Sequence, residues 1–261
     1  MTDIAYLTTP SGIRLAYADT GGTGRPLLAL HGAFGRGRPF LSLADRLGPE
    51  WRVIAPDQRG HGRSDRADDY SREAFLDDTA AIIEQLDLAP AVIVGHSLGG
   101  VNAFQLAARR PELVAAIVVV DAPAEVPPHS SDWLDTLPET YPSLDELRRV
   151  LTDRVTIGDP RHFLEDAYES DQGWRMRWHA DDIRAVKRNI FGDHWADWTA
   201  STQPALLACG GASVIIGEDV ATRMAARPNT RLVTIDGGSH DFYLTHREQF
   251  HDAVADFLAT L

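Results

Sequence analysis

Ala91-Val92-Ile93-Val94-Gly95-His96-Ser97-Leu98-Gly99-Gly100 is the stretch from which the fold can be read. Four apolar residues, three of them β-branched, make a short buried strand. From Leu98 to Arg109 the apolar residues follow helical spacing, and the run stops before Pro111. Ser97 therefore sits on a tight strand-to-helix turn within G-x-S-x-G. Gly95 and Gly99 leave room for the crowded backbone, and the turn lifts the serine hydroxyl above the sheet edge. The N–H of Leu98 opens the helix, where developing negative charge is favoured. This context reads Ser97 as a nucleophile rather than as part of an ordinary glycine-rich turn.

Short strands and helical patterns alternate outward from this point, which predicts an α/β fold with a mostly parallel sheet. Ala5 to Thr9, Ile13 to Thr20, Leu27 to Leu30 and Arg52 to Ala55 read as strands, with a helical segment near Phe40 to Leu47. Ser71 opens a helix that runs to about Leu86. Val114 to Val120 is apolar throughout, as a central parallel strand should be. Ala205 to Cys209 and Leu232 to Ile235 are two further strands, and an amphipathic helix carrying Phe250, Val254, Phe257 and Leu258 closes the chain.

Between Pro123 and Gln203 the pattern changes. Helical periodicity continues but no convincing strand is visible. This stretch holds 16 acidic against 9 basic side chains, a net charge of −7, and five of the six tryptophans: Trp133, Trp174, Trp178, Trp195 and Trp198. We read residues 123–203 as a helical lid inserted into a core made of residues 1–122 and 204–261.

The motifs now on the page resemble the α/β-hydrolase superfamily over nearly the whole chain. His31-Gly32-Ala33-Phe34-Gly35 is similar to the family's oxyanion loop. Asp57-Gln58-Arg59-Gly60-His61-Gly62-Arg63-Ser64-Asp65 is similar to a segment that is mainly structural in the family, so neither Arg59 nor His61 is assigned to chemistry. The resemblance implies a mostly parallel eight-stranded sheet with helices on both faces. It also implies oxyanion donors at the backbone of Leu98 and of Gly32 or Ala33, with Ala33 favoured. Losing one such donor typically costs a factor of about 100 to 1,000 in rate.

The order of catalytic residues in this fold is serine, acid, histidine. His240 follows the last strand in Ile235-Asp236-Gly237-Gly238-Ser239-His240 and is read as the base, whereas His246 and His251 fall at the final helix and are read as solvated. In most relatives the acid follows the strand Ala205 to Cys209, but this chain continues Gly210-Gly211-Ala212-Ser213-Val214-Ile215-Ile216, without a carboxylate. Glu218 and Asp219 come later, where acids at a helix start oppose the dipole. Asp121, at the end of the strand after the nucleophile strand, reaches the same sheet edge and is read as the acid, with Glu218 or Asp219, or a dyad without an acid, as the alternatives. Asp121-Ala122-Pro123, Gly211-Ala212-Ser213 and Arg177-Trp178 also give a distant resemblance to the fungal zearalenone lactonases.

The expected activity is hydrolysis of a carboxylic ester or lactone of a hydrophobic, aromatic or cyclic small molecule through an acyl-enzyme. Phe34, Trp133 and Trp178 are the expected substrate contacts. The chemistry calls for no cofactor and no metal. His129, His179 and His194 are scattered among acids without ligand spacing. Asp121 also gives a resemblance to cofactor-free dioxygenases of the same fold, which commonly have Ser-His where this chain has Ser97-Leu98; dioxygenation of that kind and ligand binding without catalysis are the two rivals.

Composition narrows the partners. The net charge of −13 argues against nucleic acid and anionic membranes. No apolar run spans a bilayer, and Met1-Thr2-Asp3-Ile4 begins no signal peptide. A single cysteine, Cys209, excludes an internal disulfide. The expectation is a cytoplasmic enzyme, with assembly as a homodimer left open. Lys187 is the one lysine beside 24 arginines and reads as codon bias.

Overall fold

A computed structural model of the protein describes residues 3–128, 130, 132–154 and 159–261. Eight strands form one sheet: β1 (Ile4–Thr8), β2 (Arg14–Asp19), β3 (Arg25–Leu30), β4 (Trp51–Pro56), β5 (Ala91–His96), β6 (Val114–Val120), β7 (Ala205–Gly210) and β8 (Thr230–Ile235). Their order is β1-β2-β4-β3-β5-β6-β7-β8. The β1–β2 and β2–β4 pairs are antiparallel, and every other pair is parallel. The expected mostly parallel sheet is thus present, and the apolar runs of β3, β5, β6 and β7 form its interior.

Alternate residues of these strands face two separate cores. Leu28, Leu30, Ile93, Ile117 and Val119 pack beneath α2 (Arg72–Gln85) and α3 (Leu98–Arg109). Leu27, Ala29, Val94, Val118 and Val120 pack on the other face, with α1 (Leu43–Leu47) and α10 (Arg247–Leu258). Burial on both faces explains why these strands read as continuous apolar runs rather than alternating ones. Ser71 caps α2, its hydroxyl accepting from the Ala74 N–H at 3.2 Å.

The chain leaves the sheet after β6 and returns at β7. Between them lie α4 (Leu144–Arg154), α5 (Pro160–Leu164), α6 (Ala180–Ile190) and α7 (Trp195–Ala200). The expectation of no strand here is corrected. Ala167–Ser170 pairs antiparallel with Gly173–Met176, and Glu125–Val126 with Gly192–Asp193. These strands are two to four residues long, too short to show a period of two in sequence. α8 (Glu218–Ala225) and α9 (Phe242–Thr245) complete the described elements.

The insertion is tied to the core by specific contacts. Arg66 donates to Asp182 from Nε at 2.6 Å and from Nη2 at 3.0 Å, and Arg36 reaches Glu165 at 3.1 Å. Trp198 of α7 is fully buried against Phe104 of α3, with its ring N–H donating to the Met224 carbonyl at 3.1 Å. Among the described residues no helix is long and apolar enough to cross a membrane.

Candidate active site

Ser97 directly follows β5 at φ 50° and ψ −114°, a conformation that costs an L-residue energy and survives only where the surroundings enforce it. The surroundings here are glycines. A Cβ on Gly95 would strike the Gly99 carbonyl, and one on Gly99 would strike the Leu30 carbonyl. The turn is held from below as well, since the Ser97 N–H donates to the Val120 carbonyl at 2.9 Å. Helix α3 starts immediately after it, with Leu98 as its first residue.

Asp121 and His240 meet at the same sheet edge. The Asp121 side chain is fully buried, and its Oδ2 lies 2.7 Å from His240 Nδ1. Two further donors hold the carboxylate: the Gly210 N–H on Oδ1 at 3.1 Å and the Ser213 hydroxyl on Oδ2 at 2.5 Å. Ser213 comes from the loop after β7, where most relatives carry the acid and this chain has no carboxylate. Glu218 and Asp219 instead occupy the exposed first turn of α8. Burial works against a charged His240 ring. The Asp121 hydrogen bond and the negative charges of Asp241 and Asp121 outweigh it, so the imidazole pKa stands above the ordinary histidine value.

The loop after β3 is fixed peptide by peptide. His31 Nε2 accepts from the Gln58 N–H at 2.9 Å, so its Nδ1 carries the proton and donates to the Gly32 carbonyl at 2.7 Å. The Gly35 N–H donates to the same carbonyl at 3.1 Å. In a trans peptide the next N–H points opposite to that carbonyl, so anchoring Gly32 oxygen aims the Ala33 N–H. Gly32 must lack a side chain, because a Cβ there would come within 2.6 Å of His96 Nδ1. Ala33, Leu98, Ser97 and His240 all line one cavity.

A family model described as alpha/beta hydrolase fold matches residues 25–247. The chain belongs to the alpha/beta hydrolase family. It is 27% identical over 229 residues to a 2-(acetamidomethylene)succinate hydrolase of Mesorhizobium japonicum, covering 84% of this chain and 82% of that one. It is 29% identical over 248 residues to the mouse sn-1-specific diacylglycerol lipase ABHD11, covering 89% of this chain and 80% of that protein. A crystal structure of E-2-(acetamidomethylene)succinate hydrolase superposes with a TM-score of 0.84 at 25% identity, over 98% of this chain and all of the other.

The cavity of this alpha/beta hydrolase has a volume of about 240 Å³. Phe34 and Trp133 line it, their rings 5.6 Å apart. Trp178 is not among its lining residues. It stands behind Phe34 at 5.2 Å, 6% exposed, inside the insertion's own apolar cluster. Trp198 is in the main core and Trp195 lies beneath the Arg223 guanidinium, so of the five tryptophans only Trp133 reaches the cavity wall. A large aromatic surface serves helix packing as readily as a ligand, and sequence does not say which way it faces.

Several polar residues at the cavity were not anticipated. His162 of α5 lines it, its Nε2 donating to the Ala33 carbonyl at 2.8 Å and its Nδ1 lying 2.9 Å from the Tyr243 hydroxyl. The insertion thereby touches the loop after β3 itself. Asp241, the neighbour of His240, is buried. Its Oδ2 accepts from the Asp159 N–H at 2.7 Å, and its Oδ1 lies 3.7 Å from both His96 Nε2 and His162 Nδ1. Lys187 of α6 lines the cavity too. Neither His162 nor Asp241 falls in a motif. Lys187 was visible as the sole lysine, and its rarity was the available signal.

His96, His240 and Asp241 bring ligand atoms within 4.8 Å of one another. His96 Nε2 already engages the His240 carbonyl at 3.0 Å and His240 Nδ1 engages Asp121, so these atoms are committed to the fold. His194 bonds the Ile190 carbonyl at 2.7 Å, His179 precedes α6, and His129 lies outside the described residues. The segment after β4 is structural in its contacts. Asp57 accepts from the Gly37 and Arg63 N–H groups, each at 2.9 Å, and Arg59 grips Asp78 with two bonds of 2.7 Å. His61 is buried and faces the Arg59 carbonyl at 2.9 Å. His251 is half-buried beside Ser42 at 3.3 Å rather than fully solvated.

Proposed function

We propose that this chain is a serine hydrolase that cleaves a carboxylic ester or lactone of a largely hydrophobic small molecule through an acyl-enzyme. The observation that carries the reading is the 2.7 Å bond between Asp121 Oδ2 and His240 Nδ1 at the cavity that also exposes the strained Ser97. With Nδ1 held by the carboxylate, Nε2 is the basic nitrogen. It takes the Ser97 proton as Oγ attacks the substrate carbonyl. The N–H groups of Ala33 and Leu98 hold the resulting oxyanion, with Gly32 keeping the space between them open. His240 then protonates the leaving alcohol and activates water for deacylation. No step calls for a metal or cofactor.

Phe34 and Trp133 supply the apolar wall for the substrate, and Trp178 backs Phe34. Residues 123–203 act as the lid of the site, with a core of residues 1–122 and 204–261. The names of the similar proteins support hydrolysis over oxygenation or mere binding, one being a lipase and one a hydrolase of an acetamido compound. We take the enzyme to be cytoplasmic.

A fluorophosphonate probe tests this. It should label the wild type stoichiometrically and leave Ser97→Ala unlabelled, and wild type should turn over p-nitrophenyl esters or aromatic lactones. Labelling that persists in Ser97→Ala would remove the nucleophile assignment.

A further inference from the structure

Lys187 is the one lysine of the chain, and α6 places it at the cavity beside Val186 and Ile190. The residue is 7% exposed. Its ammonium makes no hydrogen bond or ion pair with any described residue. The acidic residues on its helix are engaged elsewhere: Asp182 with Arg66, and Asp181 with Arg184. Burial alone, with no neighbouring charge contributing, brings its pKa down to about 8, so it is mostly cationic at neutral pH. A lone cation in an apolar enclosure is unfavourable for the folded protein. Asp241, the acidic residue on the same cavity wall, is turned to His96 and His162.

We propose that Lys187 receives a carboxylate of the substrate, so that the molecule cleaved at Ser97 is an acid-bearing ester whose hydrocarbon part lies on Phe34 and Trp133. This rests on the hydrolase reading above and narrows its substrate class. A single lysine balances one negative charge, which suits a carboxylate better than a phosphate dianion. The chain's net charge of −13 disfavours a polyanion further.

Three esters decide the matter: p-nitrophenyl butyrate, which is neutral; p-nitrophenyl hemiglutarate, with the carboxylate on the acyl side; and 4-(butyryloxy)benzoate, with it on the leaving group. One of the two anionic esters should exceed the neutral one in kcat/KM by about tenfold. Lys187→Met should abolish that ratio and Lys187→Arg should largely restore it. Butyrate, a monoanion, should inhibit the wild type at lower concentration than neutral butyramide, and inorganic phosphate should inhibit less than butyrate. Preference for the neutral ester, or a ratio that survives Lys187→Met, overturns the proposal. Stronger inhibition by phosphate than by butyrate overturns the carboxylate assignment. Should Lys187→Met fail to fold, the butyrate–butyramide comparison on the wild type reads the same contact. If no ester is hydrolysed at all, the hydrolase reading fails. Calorimetric binding of butyrate over butyramide to Ser97→Ala then still tests the lysine on its own.

Discussion

The Ser213 hydroxyl donates to the same Asp121 oxygen that His240 engages, at 2.5 Å against 2.7 Å. The loop that supplies no carboxylate supplies a donor that steadies one. Asp121→Asn keeps the shape but turns an amide toward the imidazole, which favours the wrong tautomer. The expected loss in kcat on an ester substrate is about four orders of magnitude. Glu218→Gln and Asp219→Asn, on the exposed first turn of α8, should retain wild-type kcat. A fully active Asp121→Asn would refute the acid assignment.

Ser213→Ala removes one of three donors to Asp121 without emptying a core. Its kcat should fall by about tenfold while the melting temperature stays near wild type. Ser213→Thr, which keeps the hydroxyl, should recover most of the loss.

The pH dependence follows from His240. Burial opposes its protonation, but the hydrogen bond to Asp121 and the charges of Asp241 and Asp121 prevail and raise its pKa. The ring works as a base only when neutral, so kcat/KM should fall as pH drops, with a midpoint above the ordinary histidine value. In Asp121→Asn the hydrogen bond and charge of Asp121 are gone, while burial and the Asp241 charge remain. The midpoint of its residual activity should move to lower pH. An unmoved acid limb would show that another group controls it.

Cys209, at the end of β7, is buried, and burial together with the Asp121 charge pushes its thiol pKa up to about 12. The thiolate is the reactive form. Iodoacetamide at pH 8 should therefore leave the native protein unmodified and alkylate it fully once unfolded. Stoichiometric modification of the native enzyme would contradict the burial described.

Arg59 and Asp78 form a two-pronged ion pair with both side chains buried. Removing one partner strands the other charge, so Asp78→Ala should destabilise the fold by about 3–5 kcal/mol in denaturant titrations. Turnover per folded molecule should be unaffected. A loss of turnover without a loss of stability would move this segment into the chemistry.

The sheet was legible because its interior strands are buried on both faces and therefore written as unbroken apolar runs, as in Val114–Val120. Ser97, Asp121 and His240 were legible because each stands at a strand end or in the loop after one, where position along the chain gives position in space. His162 and Lys187 follow no such rule, and Asp241, in the same loop as His240, stands in no motif. Two of them come from the insertion, whose docking onto the core is set by single contacts such as Arg66 to Asp182 and leaves no periodic trace. The tryptophans show the converse: their concentration was plain, but Trp178 and Trp198 face packing, not the cavity.

Ala122 directly follows Asp121, and it is pressed so tightly onto α3 that a Cβ on Gly100 would come within 2.6 Å of its methyl group. The chain therefore leaves the core from a clamped root one residue beyond Asp121, so packing on α3 sets where that carboxylate stands. Reshaping residues beyond Pro123 should disturb the loop after β3, which His162 braces at the Ala33 carbonyl, before it disturbs Asp121.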